Sequence, residues 1–425
     1  MDKKPEKLVP EVRFKGFTDD WEQRKFLDEI DSIIDYRGKT PKKLGMSWSK
    51  TGYLALSALN VKNGWIDKES NDSHFGNQAL YDIWMKSTPL YKGQVVFTTE
   101  APMGNVAQIP DNEKYILSQR TIAFNPSQRL IDGFLADLLS TKKIQNELMS
   151  LATGGTAKGV SQKSLKFLKI AFPNTEEQNF IHKVIKLLQT FITLQQRKLR
   201  QLKQLKKAML QQLFVSKNSK QPVLRFENFD SDWRQHSLED ISAKTYSGLT
   251  GKSKDDFGHG KARYITYLNV HNNEVAVSDG VEQIEVDSKQ NKVLKGDLLF
   301  TISSEVPSEV ALNSVWSSED GTDIYLNSFC FGIRPKSNYV NSFFLTYYLR
   351  SPQMRKLIYP LAQGISRFNI SKRSILALKI NTPVLPEQIS IYKVLMHIDN
   401  LITHQQNKLT QLTTLKKYLL QNLFI

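Results

Sequence analysis

The sequence predicts an α+β fold in which two tandem mixed α/β domains are separated by two long antiparallel helices and related by an internal pseudo-two-fold repeat. Three observations lead to this prediction. A helix-forming segment occurs twice, at Glu177–Phe214 and Glu387–Phe424. The two copies align without a gap, and 20 of their 38 positions are identical. The segments that precede each helix also occur in two similar copies. Finally, the formal net charge is +16, and nine Lys or Arg against one acid lie between Glu177 and Lys217.

The repeated segment has the composition of a long helix. Neither copy contains Gly or Pro, and both are rich in Leu, Gln and Lys, which favour helix formation. Apolar residues recur in steps of three and four, which is typical of a helix stripe or coiled-coil seam. A helix of this length spans roughly 57 Å. A stripe so long needs an apolar partner, and the other copy is the obvious one.

The predicted seam is the same in both copies. Gln195 and Gln405 fall at equivalent positions, where we expect them to meet and help to fix the register at some cost in stability. The alternative is one core helix in each of two unrelated domains, which the duplication outside the helices disfavours. The seam is expected at Leu188, Phe191, Gln195, Leu202 and Leu205 of the first copy and at Ile398, Leu401, Gln405, Leu412 and Leu415 of the second.

The duplication covers the regions before each helix. Tyr91–Thr99 pairs with Leu294–Ile302, and in both a glycine turn precedes an apolar run typical of a buried strand. Ile116–Pro126 pairs with Tyr325–Pro335, and each reads as a strand that stops at proline. The predicted organisation is a first domain (1–173), a central helix (174–215), a second domain (216–383) and a C-terminal helix (384–425).

Composition limits the class of protein. Apolar content of 40% and charged content of 24% are typical of a globular chain. No apolar run is long enough for a membrane span and no secretory signal is visible, so we expect a cytoplasmic protein without a membrane partner. The single cysteine, Cys330, excludes an internal disulfide and a Cys-rich zinc site. The basic excess favours a polyanion partner, the alternative being a solvated lysine-rich helix surface.

Catalytic motifs are missing. Gly248–Ser253 resembles a phosphate-binding loop, but Tyr246 stands where that loop needs its first glycine. The sequence has neither a glycine-rich cofactor loop nor the Asn/Asp-Pro-Pro-aromatic motif of adenine methyltransferases. Its seven histidines have no metal-ligand spacing. The sequence therefore argues for recognition without catalysis, with no metal and no cofactor in this chain.

Several features accompany the repeat architecture. They are Trp21 and Trp233, the Gly-Lys-Thr-Pro loop Gly38–Pro41, and the helix starts Pro173 with Glu177-Gln178 and Pro386-Glu387-Gln388. With these features the whole chain resembles the specificity subunit of type I restriction–modification enzymes. The second half has Gly248–Gly251 in place of the Gly-Lys-Thr-Pro loop, so this loop is assigned no essential role.

This resemblance implies a specific function. Each domain would read one half of a bipartite, asymmetric sequence in double-stranded DNA. The helix pair would hold the domains apart, which fixes the spacing of the half-sites on the order of one duplex turn, about 34 Å. The helices would also recruit two adenine methyltransferase subunits and, with them, two restriction subunits. Catalysis, S-adenosylmethionine, ATP and Mg²⁺ would belong to those partners, so this chain alone is not expected to be an enzyme.

The residues expected to contact DNA lie on polar loops. Phosphates favour Lys and Arg, whereas base edges favour Arg, Lys, Asn, Gln, Ser or Thr, and Glu100 or Glu305 would accept from a cytosine amino group. The expected contacts are Arg37, Lys39, Lys42, Lys43, Glu100, Thr156 and Lys158 in the first domain and Lys252, Lys254, Ser303, Glu305, Ser366, Arg367 and Lys372 in the second.

Two other classes of function compete with this interpretation. A non-catalytic coiled-coil adaptor that never reads sequence would explain the helix pair, but not the basic excess or the two large duplicated domains. A self-sufficient enzyme acting on nucleic acid would need the motifs that are missing.

Overall fold

The computed structural model describes residues 8–154, 158–216, 219–319, 321–336 and 338–425. The chain forms two compact units. The first unit extends to Gln196 and includes Asn407–Ile425, and the second is Arg197–Gln406. Each unit therefore contains one globular region together with part of each long helix.

The long helices are Thr175–Gln212 and Leu385–Asn422. In the first unit, Ile185 near the start of the first helix shares a core with Leu423, which directly follows the second helix. In the second unit, Leu395 near the start of the second helix shares a core with Leu213, which directly follows the first. Each start therefore packs beside the other helix's end, which confirms the predicted antiparallel arrangement.

The seam follows a row one residue away from the predicted one at four places. Phe191, Leu205, Leu401 and Leu415 are 40–43% exposed, and the neighbours Ile192, Lys206, Ile402 and Lys416 lie inward instead. A row of side chains stays on one side of a supercoiled helix when its steps alternate between four and three residues. The predicted step from Leu202 to Leu205 is three residues, where this alternation requires the step of four to Lys206. The other six predicted seam residues, Leu188, Gln195, Leu202, Ile398, Gln405 and Leu412, are buried or half-buried.

Lys206 occupies a seam position because carboxylates surround its ammonium group. Its Nζ lies 2.8 Å from Glu274 and 2.6 Å from Asp399, and the side chain is 17% exposed. Burial acts to lower the pKa of Lys206, but the two carboxylates outweigh burial and raise it. Partnered in this way, a lysine can replace an apolar residue in the row.

The first unit is built on a four-stranded antiparallel sheet. Its strands, in spatial order, are Ile30–Asp35, Thr121–Pro126, Val95–Thr98 and Val106–Gln108. Smaller sheets are formed by Phe75–Gly76, Tyr53–Leu56 and Ile116–Leu117, by Glu22–Lys25 with Lys169–Phe172, and by Val61–Lys62 with Trp65–Ile66. The helices are Gln78–Met85, Asp132–Leu139, Lys142–Leu151 and Gln162–Leu165, with 3-10 turns at Phe26–Glu29 and Pro41–Leu44.

The second unit repeats this plan with a main sheet of five strands. Its main sheet has the order Ser242–Ser247, Cys330–Pro335, Leu298–Thr301, Asn313–Trp316 and Val275–Ala276. Further sheets are formed by Val281–Ile284, Phe257–Ile265 and Ile324–Leu326, by Arg234–Ser237 with Lys379–Thr382, and by Ser303–Ser304 with Phe368–Asn369. The helices are Tyr267–Asn272, Ser342–Arg350, Pro352–Ile358 and Lys372–Leu376, with 3-10 turns at Lys254–Asp256, Ser278–Gly280, Pro307–Glu309 and Tyr359–Leu361.

A buried ion pair fastens the start of each long helix to its own domain. Arg13 donates from Nε and Nη2 to the two carboxylate oxygens of Glu177 at 2.9 and 2.8 Å. Arg225 donates to Glu387 in the same way, at the same two distances. The side chains of Glu177 and Glu387 are at most 1% exposed. Bidentate guanidinium–carboxylate pairs fix geometry, so each helix leaves its domain in a defined direction.

The residues that follow each long helix complete a domain core. In the first unit, the Phe424 ring lies 5.2 Å from Phe134 and 6.3 Å from Trp21. In the second unit, the equivalent Phe214 ring lies 5.6 Å from Phe344 and 6.5 Å from Trp233. Phe214 and Phe424 are 1% and 7% exposed. Each aromatic core therefore needs a side chain delivered by a helix that starts at the other domain.

We expect Phe424→Ala to destabilise the first unit by about 3–5 kcal/mol, because it leaves a cavity beside Trp21 and Phe134. Amide hydrogen exchange should accelerate in the strand Val95–Thr98 more than in Leu298–Thr301. Leu415→Ala, on the same helix but 43% exposed, is the control and should change exchange little. Equal acceleration in both strands would contradict a local role for Phe424.

Candidate nucleic-acid interface

In the first unit, loops from several strand ends converge on one cleft. Glu100, which follows the strand Val95–Thr98, forms an isolated bridge with Gly159, and Gly159 also pairs with Thr153. The end of the strand Ile30–Asp35 adjoins them. The cleft has a volume of about 800 Å³ and is lined by Asp35, Arg37, Thr99, Glu100, Thr153, Gly154, Gly159, Val160, Ser161 and Gln162.

Charged side chains in this cleft are held in fixed pairs. The Arg37 guanidinium donates from Nε at 2.9 Å to both oxygens of Asp35, and Gln162 Nε2 donates to the same carboxylate at 2.7 Å. Burial acts to raise the pKa of Asp35, but the hydrogen bonds from Arg37 outweigh burial and lower it. Glu100 lies 3.3 Å from Arg120 Nε. The cleft therefore presents donors and acceptors in defined positions, as a recognition surface requires.

The predicted lysines of the first domain differ in how much of their charge is free for a ligand. Lys39 Nζ lies 4.7 Å from the ring centre of Tyr36 and 5.2 Å from that of Trp84, so aromatic faces hold it. Lys43 is exposed, but its Nζ donates to the Gly38 carbonyl at 2.7 Å. Lys42 and Lys158 are exposed, whereas Thr156 lies outside the described residues.

The second unit brings equivalent loops together. Ser303 and Ser304 pair with Asn369 and Phe368, and Gln363 exchanges two backbone hydrogen bonds of 2.8 Å with Asn369. The turn that carries Phe329 adjoins them, because Ile302 N donates to the Phe329 carbonyl. The predicted residue Ser303 therefore lies on this strand pair, and Glu305, Ser366 and Arg367 lie on the segments next to it.

The residues of the second unit that were predicted to contact DNA differ in their solvent exposure. Glu305, Ser366, Arg367 and Lys254 are exposed, and Lys372 is half-buried at the start of a short helix. Ser303 is only 3% exposed and lies on the strand that pairs with Phe368–Asn369. Its place at the start of a polar segment in the sequence gives no signal of this burial.

Lys252 is held by carboxylates on its own domain. Its Nζ lies 3.0 Å from Asp287 and 3.5 Å from Asp256, and its side chain is 12% exposed. The hydrogen bond to Asp287 raises the pKa of Lys252. Hydrogen bonds from Gln290, and then from Lys252, lower the pKa of Asp287 to about 2. Neutralised by two acids, Lys252 has less charge to offer a polyanion than the exposed Lys254.

Two residues of these surfaces were not expected from the sequence. Arg120 in the first unit and Phe329 in the second occupy equivalent places in the repeat, each one residue before a core strand. Arg120 is paired with Glu100, and Phe329 lies 5.1 Å below the Arg367 guanidinium. At this position of the sequence repeat, one copy has a cation and the other an aromatic ring. Such a difference within an otherwise similar segment is the signal that could have identified both residues.

Among the described residues, no group of three or more His, Cys, Asp or Glu side chains could hold a metal ion. Cys330 is buried, and burial raises the pKa of its thiol, so the reactive thiolate is disfavoured. No helix in the described part of the chain has the length and apolarity to cross a membrane.

Comparison with known proteins identifies a family. The type I restriction modification DNA specificity domain matches residues 18–204 and again residues 230–414. The putative type I restriction enzyme MjaX specificity subunit of Methanocaldococcus jannaschii is 23% identical, over 94% of this chain and 91% of that protein. The MjaVIII specificity subunit from the same organism is 24% identical with the same coverage.

Solved structures share the fold. The S subunit of a type I restriction–modification system from M. genitalium superimposes with a TM-score of 0.62 at 18% identity, over 98% of this chain and 99% of that one. A chain from a structure on complex assembly and conformational transition of a type I system superimposes with a TM-score of 0.51 at 15% identity, over 95% and 97%.

We expect Lys252→Met to raise the pKa of Asp287 from about 2, because the substitution removes an ammonium donor. The pKa should stay below the usual aspartate value, since Gln290 still donates. A carboxyl titration by NMR of aspartate-labelled protein measures this value. A depressed pKa means that Asp287 stabilises the fold above about pH 3.9 and that this contribution is lost as the pH falls toward 2.

Lys254→Met is the matched control, because Lys254 is exposed in the same loop. It should leave the pKa of Asp287 unchanged. If Lys252→Met also left it unchanged, the ion pair would not be what holds Lys252.

Proposed function

This chain belongs to the type I restriction–modification DNA specificity family, and we propose that each of its two domains reads one half of a bipartite, asymmetric DNA site. We assign the reading domains to residues 1–173 and 216–383. The chain itself would carry no catalytic residue. Working on DNA with its partners, it would act in the cytoplasm.

One observation carries this proposal: an equivalent scaffold presents different side chains in the two units. The anchoring pairs Arg13–Glu177 and Arg225–Glu387 match in geometry. On the surfaces, however, the Glu100–Arg120 ion pair of the first unit is replaced in the second by Arg367 over Phe329. Base pairs differ in their pattern of donors, acceptors and methyl groups, so unlike surfaces favour unlike sequences. Two related but different half-sites are the expected target.

The helix pair supports the remaining part of the proposal. A rigid antiparallel pair would separate the half-sites by a fixed spacer, on the order of one duplex turn, about 34 Å. The first long helix also exposes Leu187, Phe191 and Leu194 to 55%, 43% and 55%. Apolar residues in one exposed row suit a protein partner. We propose that two methyltransferase subunits dock on the helices and that two restriction subunits complete the complex.

A coiled-coil adaptor remains the alternative, and a salt titration separates the two. If the chain neutralises about eight phosphates, the logarithm of its DNA-binding constant should fall with the logarithm of salt concentration at a slope near −7. The titration should use the chain together with its methyltransferase partner and a duplex that carries the bipartite site, located beforehand by mapping the adenines that this complex methylates. A flat response would exclude DNA binding of this kind.

Substitutions of single lysines extend the salt titration to individual phosphate contacts. Lys42→Ala and Lys158→Ala should each reduce the slope by about 1, because both side chains are exposed. Lys252→Ala is the matched control and should change the slope less, since Asp256 and Asp287 already neutralise Lys252. An equal effect of all three substitutions would contradict the assignment of phosphate contacts.

A further inference from the structure

Ile365 is the most exposed large apolar residue in the described part of the chain, at 97%. It lies at the tip of a hairpin that Gln363 and Asn369 close with two backbone hydrogen bonds of 2.8 Å. Gly364 beside it has a φ of +130°, and a Cβ there would lie 2.1 Å from the Arg367 carbonyl oxygen. Only glycine fits this turn, so the backbone that presents Ile365 has a defined conformation.

The hairpin is anchored to the rest of the second unit. Its strand Phe368–Asn369 pairs with Ser303–Ser304, and Ile370 N donates to the Ile302 carbonyl at 3.0 Å. On its flank, the Arg367 guanidinium lies 5.1 Å from the ring centre of Phe329, which is itself 52% exposed. The tip therefore combines an exposed aliphatic side chain with a cation and the Ser366 hydroxyl.

An aliphatic residue among polar and cationic groups matches one particular feature of DNA. The edges of the base pairs in the major groove present donors, acceptors and a single apolar group, the C5-methyl of thymine. Arg and Ser are residues that contact base edges, and Ser366 and Arg367 directly follow Ile365 in the sequence. The branched side chain of isoleucine has few rotamers, so little side-chain freedom is lost in a contact.

We propose that Ile365 contacts the C5-methyl group of a thymine in the half-site read by the second domain. This inference rests on the function proposed above and adds a specificity-determining residue to it. The contact would be confined to one half-site, because the sequence repeat places Gly155, which has no side chain, at the equivalent position of the first domain.

The competing role for an exposed isoleucine is insertion between base pairs, which kinks the duplex. Insertion depends on stacking and on the deformability of the base step rather than on a methyl group. The polar neighbours Ser366 and Arg367 favour base-edge contact over insertion. The two roles predict different responses to uracil, which has the hydrogen-bonding groups of thymine and lacks only its methyl group.

The experiment measures binding of the chain, in complex with its methyltransferase partner, to duplexes in which each thymine of the half-site is replaced singly by uracil. Wild-type protein should lose about fourfold in affinity at one position, the effect of one buried methyl group. Ile365→Ala should bind thymine and uracil duplexes equally at that position. Leu268→Ala, which removes another exposed aliphatic side chain of this unit, should keep the wild-type preference.

Several results would overturn the proposal. These are a half-site without thymine, wild-type binding that ignores every uracil, or an Ile365→Ala variant that keeps the preference for thymine. Weaker binding of Ile365→Ala to all duplexes, together with reduced DNA bending, would assign Ile365 to insertion instead. Failure of the underlying function is distinguishable, because the wild-type complex would then not prefer its site over unrelated DNA.

Discussion

The structure depends on the way in which each long helix serves two cores. A helix begins at one domain, where Glu177 or Glu387 is held by an arginine, and the phenylalanine that follows its end lies inside the other core. Neither aromatic core is complete without the side chain delivered at the end of a helix. Burying a phenylalanine stabilises a core by about 1.5–3 kcal/mol, a large part of the stability of a domain. Domain folding and helix pairing are therefore coupled.

This coupling explains why charge is tolerated in the helix seam. Lys206 lies where a coiled coil usually has an apolar side chain, and Glu274 and Asp399 neutralise it. Lys416 occupies the equivalent place in the first unit and donates to Gln189 at 2.7 Å. Buried polar contacts contribute less stability than apolar packing, but they favour one alignment over others. The cores at the helix ends provide the larger stabilising contribution.

The scaffold leaves the recognition surfaces free to differ. In both units a backbone bridge lies beside a core strand, between Thr153 and Gly159 in the first and between Gln363 and Asn369 in the second. The surface side chains beside these bridges are not members of the buried cores. Glu100 with Arg120 and Phe329 with Arg367 are two solutions on the same framework. One chain can thus present two different surfaces without a change of fold.

Much of the architecture could be predicted from the sequence, because a repeat with constant spacing specifies equivalent elements without reference to tertiary contacts. The antiparallel helices follow from that repeat. The predicted seam contains Leu205, whereas Lys206 lies inward in the structure. The prediction chose Leu205 because it is apolar, and the acids that bind Lys206 are distant in sequence. For the same reason, the burial of Ser303 and the pairing of Lys252 with Asp287 could not be predicted. Side chains on polar loops acquire their roles from residues that only the fold brings near.

Mapping of modified adenines tests the central claim most directly. The chain is co-expressed with its methyltransferase partner, and segment Arg13–Pro173 is replaced by the equivalent segment of another family member that retains the arginine and tryptophan of the core. The account predicts one bipartite motif for each protein, with one half changed by the replacement and the other half and the spacer retained. A change in both halves, or a motif without two parts, would contradict it.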